Sequence, residues 1–165
     1  MDLRRETWER HNAAVRRFAL HLCGDPTLAE DLASEAFVRL WTTPSTISTE
    51  TVRAYLLTIV RNLYVRTRRR ENASVPVPDD VVDEAAGPDQ KVESRETAAD
   101  VRRALASLDV ADREALLLRH DGELSYRDIA AALGTTPGAA RVRVHRAHRK
   151  LLARLTSAAA DKERP

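Results

Sequence analysis

The chain has 165 residues, of which 43% are hydrophobic, so it can fold as one domain or as two small ones. It has no apolar run near the roughly 18 residues of a membrane helix and no apolar secretion signal. Its one cysteine excludes an intrachain disulfide. These features favour a cytoplasmic protein without membrane insertion. The net charge is +3 over residues 1–71 (12 basic, 9 acidic), −6 over 72–100 (2 basic, 8 acidic) and +5 over 101–165 (13 basic, 8 acidic). Two basic blocks around an acidic connector favour a nucleic-acid partner.

The hydrophobic residues of the first block recur at helical spacing, and no segment alternates as a strand would. A first helix ends at Gly24, and a second spans residues 28–41. A third has apolar residues at i, i+3, i+4, i+7, i+8 and i+11 from Val52, and reaches residue 70. The first block is therefore predicted to be a small all-α domain of three helices.

Residues 72–97 interrupt this pattern. Three prolines and Gly87 break any helix there, and clustered acids keep the segment solvated. We predict a flexible acidic linker, with a helix beginning between residues 91 and 97. Such a linker is expected to let the two flanking domains move independently.

Residues 98–165 have the pattern of a helix-turn-helix. Two helices come first, the second beginning near Asp112. Ser125 starts a third helix, because the S-x-x-D sequence there has the form of a capping box, and Gly134 ends it in the left-handed conformation. Two residues later Thr136 caps a fourth helix that has proline at its first position.

The fourth helix of this block is basic. Between Asp128 and Asp161 there is no acidic residue, whereas six Arg and Lys residues occur there. The side chains that point away from its apolar stripe are Arg141, Val142, His145 and Arg149. Such a face suits a major groove, because phosphates attract it and guanine accepts two hydrogen bonds from arginine. The alternative is a solvated basic face without a ligand.

Two surfaces of the first block are also candidates. The helix ending at residue 70 holds five arginines between residues 61 and 70, with Tyr55 and Tyr64 on the same helix, which suits separated bases that stack on aromatic rings. The alternative is a basic helix end that complements its own dipole. The preceding helix presents Asp31, Ser34 and Glu35, either as an ordinary polar face or as an acidic docking face for a basic protein.

The sequence predicts no enzyme, cofactor or metal site. It has no Gly-rich phosphate loop after a strand and no catalytic motif of hydrolases or metalloproteases. The spacing of His11, His21 and Cys23 matches no recurrent zinc pattern. Cys23 is expected to be a small core residue.

Three motifs resemble those of bacterial RNA polymerase sigma factors. Residues 29–41, AEDLASEAFVRLW, resemble the signature AEDLxQExFLRLW, and residues 54–63, AYLLTIVRNL, resemble AWLxxIARN. Residues 124–147 contain LSYRDIA, LG and VHRA, which resemble the promoter-recognition segment LSYxEIAxxLG…RLHRA. Their order and spacing resemble the extracytoplasmic-function (ECF, group 4) class of the sigma-70 family.

The resemblance implies a sigma-2-like helical bundle over residues 1–71, a linker over 72–97 and a sigma-4-like helix-turn-helix domain over 98–165. It implies a transcription initiation factor that binds core RNA polymerase through the β′ clamp and the β flap and directs it to promoter DNA. An anti-sigma factor is a further implied partner. Catalysis would belong to the polymerase.

The family also implies roles for individual residues. The helix that grips the β′ clamp would use Asp31, Glu35, Phe37 and Trp41. The surface that opens and reads the −10 element would use Arg53, Tyr55, Arg61, Asn62 and Arg66. The −35 recognition helix would use Thr136, Gly138, Arg141, Val142, His145 and Arg149.

The resemblance has departures, and two alternatives stay open. Val142 stands where the family commonly has Ser or Thr, so −35 recognition would depend more on arginine and on DNA shape. One alternative is a conventional dimeric helix-turn-helix regulator that binds operator duplexes without polymerase. The other is a protein-interaction adaptor that occupies polymerase or an anti-sigma partner without promoter selectivity.

Overall fold

The computed structural model of the chain describes residues 3–44, 47–48, 51–73 and 92–164, and within these ranges it contains helices and no strand. None of the helices in these ranges is long and apolar enough to cross a membrane. The helices are α1 (Leu3–Cys23), α2 (Pro26–Thr42), α3 (Val52–Ala73), α4 (Val92–Ala106), α5 (Val110–His120), α6 (Tyr126–Leu133) and α7 (Pro137–Lys162). The predicted all-α fold class is confirmed.

The first domain is a bundle of α1, α2 and α3, in which each helix packs on the other two. Gly24 takes the left-handed conformation after α1, with φ 73°. Asp25 then caps α2, because its carboxylate accepts hydrogen bonds from the amides of Thr27 and Leu28 at 2.8 and 3.2 Å. The largest fully buried side chains of the bundle are Phe18, Leu22, Phe37, Leu56 and Leu57.

The second domain packs α4, α5 and α6 against the long helix α7. α5 begins two residues before the predicted start, because Asp109 caps it by accepting hydrogen bonds from the amides of Ala111 and Asp112 at 3.1 and 3.2 Å. This cap places Asp112 in the first turn of α5, where a carboxylate is favoured by the helix dipole. The core of the domain consists of apolar residues that include Ala115, Leu118, Ile129, Val144 and Ala147.

The helices extend into the predicted linker from both sides. α3 continues to Ala73, and α4 begins at Val92, within the range predicted for its start. The remaining linker residues, 74–91, lie outside the described residues.

The two domains are packed together, which contradicts the independent motion expected from the linker. α1 contacts both α4 and α5. Leu57 of α3 approaches Gly122 so closely that a Cβ at Gly122 would lie 2.6 Å from the Leu57 Cδ1. Buried residues of both domains form one continuous apolar cluster. The linker sequence says nothing about this packing, because the packing depends on surfaces of segments far apart in the chain.

Candidate nucleic-acid interface

α6 and α7 form the predicted helix-turn-helix. The Ser125 hydroxyl accepts a hydrogen bond from an amide in the first turn of α6 at 3.1 Å, and Gly134 ends α6 with φ 64°. The Thr136 hydroxyl accepts a hydrogen bond from the Ala139 amide at 3.2 Å. Pro137 occupies the first position of α7, where the helix needs no amide hydrogen. The caps predicted from the sequence are confirmed, and they define where α7 starts.

The outer face of α7 is open to solvent. The predicted −35 residues, all of which are exposed, are Thr136, Gly138, Arg141, Val142, His145 and Arg149. Val142 is 61% exposed although it is apolar. A Cβ added at Gly138 would meet open space, so no described residue packs against the start of the helix at this position. The middle of α7 lines a shallow groove of about 630 Å³ with Arg141, His145 and Arg149 among its walls.

A buried carboxylate lies beneath the edge of this face. Asp112 of α5 is fully buried, and it accepts hydrogen bonds from Arg146 Nη2 at 2.6 Å and from Lys150 Nζ at 2.9 Å. Arg146 Nε lies 3.2 and 3.0 Å from its two oxygens, so the guanidinium binds it in a bidentate manner.

These contacts keep Asp112 ionised. The hydrogen bonds from Arg146 outweigh burial and, with those from Lys150, lower the pKa of Asp112 from 3.8 to about 2. α7 is acid-free along its sequence over this stretch, but in space an anion from α5 neutralises part of its charge. In the sequence Asp112 marks only the start of a helix, and no local pattern links it to Arg146 or Lys150.

Arg61 of α3, one of the predicted −10 residues, is bound by residues of the second domain. Arg61 Nε and Nη2 each donate a hydrogen bond to Glu114 Oε2 at 3.1 Å, and Nη1 lies 3.5 Å from the carbonyl oxygen of Ala132. The Glu114 side chain is 3% exposed and the Arg61 side chain 22%. Arg61 therefore faces the second domain and not solvent in this conformation.

Arg53 and His21 make the neighbouring contacts between the domains. Arg53 Nη2 donates a hydrogen bond to the carbonyl oxygen of Asp121 at 2.6 Å, and Arg53 Nη1 lies 3.4 Å from Glu123 Oε2. His21 Nδ1 lies 2.6 Å from Asp121 Oδ2. The contacts of Glu114, Asp121 and His21 are not predictable from the sequence, because no local pattern pairs residues so far apart in the chain.

The other predicted −10 residues differ in accessibility. Asn62 and Arg66 are exposed. Tyr55 is half-buried, and its hydroxyl lies 3.1 Å from Thr43 Oγ1. Tyr64, a stacking candidate in the sequence, is 3% exposed, and burial raises the pKa of its hydroxyl. Tyr64 therefore cannot stack on a base in this conformation.

The predicted polymerase-binding residues of α2 do not all share one surface. Asp31 and Glu35 are exposed, and Glu35 accepts a hydrogen bond from Arg39 Nε at 2.8 Å. Phe37 is fully buried, with its ring centroid 5.8 Å from that of the half-buried Trp41. Phe37 thus supports the helix from inside and does not lie on the exposed face of α2 in this conformation.

Both domains match known protein families. Residues 7–74 match the family described as sigma-70 region 2, and residues 98–151 match sigma-70, region 4. The first range includes most of α1 and all of α2 and α3, and the second includes α5, α6 and the part of α7 up to residue 151.

Several relatives match over most of the chain. The ECF RNA polymerase sigma factor SigL of Mycobacterium tuberculosis is 32% identical over 155 residues, which cover 90% of this chain and 86% of SigL. EcfG of Rhodopseudomonas palustris is 36% identical over 150 residues, covering 86% of this chain and 79% of EcfG. SigE of Mycolicibacterium smegmatis is 33% identical over 151 residues, covering 88% of this chain but 59% of SigE.

Solved structures show the same architecture. The sigma factor RpoE of Bartonella quintana, solved with the anti-sigma factor NepR, has a TM-score of 0.69 and 26% identity over 92% of this chain and 96% of RpoE. CnrH, solved with the cytosolic domain of CnrY, shares the fold with a TM-score of 0.65 and 23% identity over 98% of this chain and 89% of that one. The fold, both matched regions and the relatives show that the chain belongs to the ECF RNA polymerase sigma factors.

Proposed function

We propose that this chain binds core RNA polymerase and directs it to promoters through two DNA contacts, one on α7 and one on α3. The observation that carries the proposal is the exposed basic face of α7 in a capped helix-turn-helix. Family membership supports the same function, since members are promoter-directing initiation factors. The polymerase performs the catalysis, so this chain needs no cofactor and acts in the cytoplasm with that enzyme.

The −35 contact is assigned to the outer face of α7 in a major groove. Arg141 and Arg149 are exposed there, and an arginine donates two hydrogen bonds to the major-groove edge of guanine. Val142 presents an apolar surface that suits a thymine methyl group. No described residue packs against Gly138 at the start of α7, which leaves room for the DNA backbone.

The −10 contact is assigned to α3, and it requires the domains to separate. Arg53 and Arg61 are engaged by the second domain in the packed conformation, whereas Asn62 and Arg66 are already exposed. Binding to polymerase would supply the separation, because it engages each domain at a different place. Arginines then hold the backbone of the opened strand while its bases are bound.

The polymerase contact is assigned to the exposed face of α2, with Asp31, Glu35 and the half-buried Trp41. We also propose an anti-sigma factor as a partner. The similar structure of RpoE was solved with the anti-sigma factor NepR, and that of CnrH with the cytosolic domain of a second protein, CnrY. The dimeric regulator is not favoured, because the first domain matches sigma-70 region 2 and has the bundle of that family.

Run-off transcription tests the proposal. Purified core polymerase with this chain should produce defined transcripts from a subset of genomic fragments, and neither component alone should do so. Random initiation, or tight binding of the chain to a palindromic duplex without polymerase, would contradict the function.

Charge reversal on α2 tests the docking face. The double variant Asp31→Lys/Glu35→Lys places like charges against a basic partner, which can cost several kcal/mol, so core binding should drop while helix content stays the same. The matched control is Glu6→Lys/Glu9→Lys, which makes the same charge change on exposed residues of α1. Equal core affinity for both double variants would remove the α2 face from the proposal.

A further inference from the structure

We infer that Asp112 is a positioning residue for promoter recognition: it holds Arg146 and Lys150 at the edge of the α7 face so that both cations meet DNA phosphates beside the bases contacted by Arg141 and Arg149. The inference rests on the proposed −35 function of α7. It adds three residues to the −35 surface that the resemblance implies. Two are cations that bind phosphate, and the third is the buried anion that holds them.

The geometry separates Asp112 from an ordinary surface ion pair. The carboxylate is fully buried on α5, whereas its two partners are half exposed on α7, with side-chain exposures of 51% for Arg146 and 48% for Lys150. Arg146 and Lys150 also line the same groove as Arg141 and Arg149. The anion thus lies under the surface, and the cations that it binds form part of the surface.

Donor counts leave capacity for phosphate. The contacts to Asp112 use the Nε–H and one Nη2–H of Arg146, and a guanidinium has five N–H donors. Lys150 uses one of its three ammonium hydrogens on Asp112. Phosphate contacts set the register and orientation of a protein on a duplex, so fixed cations at this edge would place Arg141 and Arg149 over the correct base pairs. Side chains already held in place also lose less freedom on binding.

Two explanations of Asp112 predict opposite results. If Asp112 were only a buried anion near DNA, its removal would raise the net positive charge and tighten binding to every duplex. If it positions the cations, its removal weakens binding to the correct sequence while non-specific binding stays equal or becomes tighter. The isosteric variant Asp112→Asn distinguishes the two by the sign of the change.

The experiment uses the full chain bound to core polymerase. Wild-type holoenzyme first selects duplexes from a random −35 library, and affinity is then measured for one selected duplex and for the same duplex with a scrambled −35 element. Asp112→Asn should lower the ratio of the two affinities about five- to tenfold, with no loss on the scrambled duplex. Arg146→Lys keeps the charge but loses the bidentate contact, so it should lower the ratio similarly. Arg154→Lys, an exposed site on the same helix, should leave the ratio unchanged.

Each remaining outcome is decisive. Tighter binding of Asp112→Asn to both duplexes, or a wild-type ratio in both Asp112→Asn and Arg146→Lys, overturns the inference. If circular dichroism shows that Asp112→Asn does not fold, Arg146→Lys alone decides, because it retains the buried ion pair. If the wild-type holoenzyme selects no sequence, the proposed −35 function fails, and the inference fails with it. Selection by wild type with unchanged ratios in the variants rejects the positioning role and leaves the proposed function standing.

Discussion

The faces of α7 and α3 are both basic, and in each an arginine is bound by a buried carboxylate of α5. Asp112 binds Arg146 of its own domain, which stays 51% exposed, whereas Glu114 binds Arg61 of the other domain, which is 22% exposed. The first contact leaves the α7 face open, and the second covers part of the α3 face. The same chemistry therefore organises one surface and closes the other, and the difference lies in whether the arginine belongs to the same domain as the acid.

The largest expected effect comes from breaking the closed contact. Glu114→Gln leaves Arg61 without its charged partner in the interface, and loss of one partner of a buried pair costs about 3–5 kcal/mol. Because Arg61 is partly hydrated, we expect a value at the low end, about 3 kcal/mol in the free energy of unfolding. Urea unfolding measures the change, and small-angle scattering should show a larger radius of gyration.

Glu123→Gln is the matched control for this contact. It makes the same chemical change at the same interface, but the Glu123 side chain is 76% exposed and lies 3.4 Å from Arg53. An exposed pair contributes about 0–1 kcal/mol, so stability and size should hardly change. Equal effects of the two variants would show that Glu114 does not close the interface.

Acid should weaken the open region through Asp112. Its pKa is about 2 in the folded protein against an ordinary 3.8, so its stabilising contribution is complete above pH 3.8 and is lost as the pH falls through 2. At 1.36 kcal/mol for each pKa unit the contribution is roughly 2 kcal/mol. The difference in unfolding free energy between wild type and Asp112→Asn should therefore shrink by that amount between pH 5 and pH 2. A difference that is independent of pH would show that Asp112 gains nothing from its ionised state.

The open face can be tested by removing one of its arginines. Arg141→Ala should reduce holoenzyme affinity for the selected −35 duplex about tenfold, or 1.4 kcal/mol, and relax selectivity at one position, as expected for loss of a bidentate guanine contact. Arg154→Ala removes the same charge from an exposed site further along α7 and should have a smaller, sequence-independent effect. Identical losses for both variants on selected and scrambled duplexes would reduce α7 to a non-specific basic helix.

The smallest expected effect concerns α3. Asn62 is exposed beside Arg61, and its replacement by Ala should slow promoter opening about fivefold, the equivalent of one hydrogen bond of about 1 kcal/mol. Binding to the −35 duplex should not change. Permanganate reactivity of −10 thymines in the polymerase complex follows opening, and Asn72→Ala near the end of the same helix is the control. A loss of −35 binding in Asn62→Ala would contradict the separation of the two contacts.

Local signals in the sequence predicted the helices and the helix-turn-helix well. Ser125, Gly134 and Thr136 act through bonds to residues within a few positions, so their chemistry is visible in a short stretch of chain. Helical periodicity likewise predicted the exposed side of α7.

The sequence by itself determined the all-α class, the caps, the recognition helix and its charge, because these depend on neighbouring residues and on the helical repeat of 3.6 residues per turn. Only the tertiary structure decided which arginines of the two basic faces are exposed to solvent and which are covered. Asp112 lies 34 residues from Arg146, and Glu114 lies 53 residues from Arg61. No local rule pairs residues at such separations, since the pairing follows from which helix faces pack together. Packing therefore determined that the basic face of α7 stays open while that of α3 is partly covered.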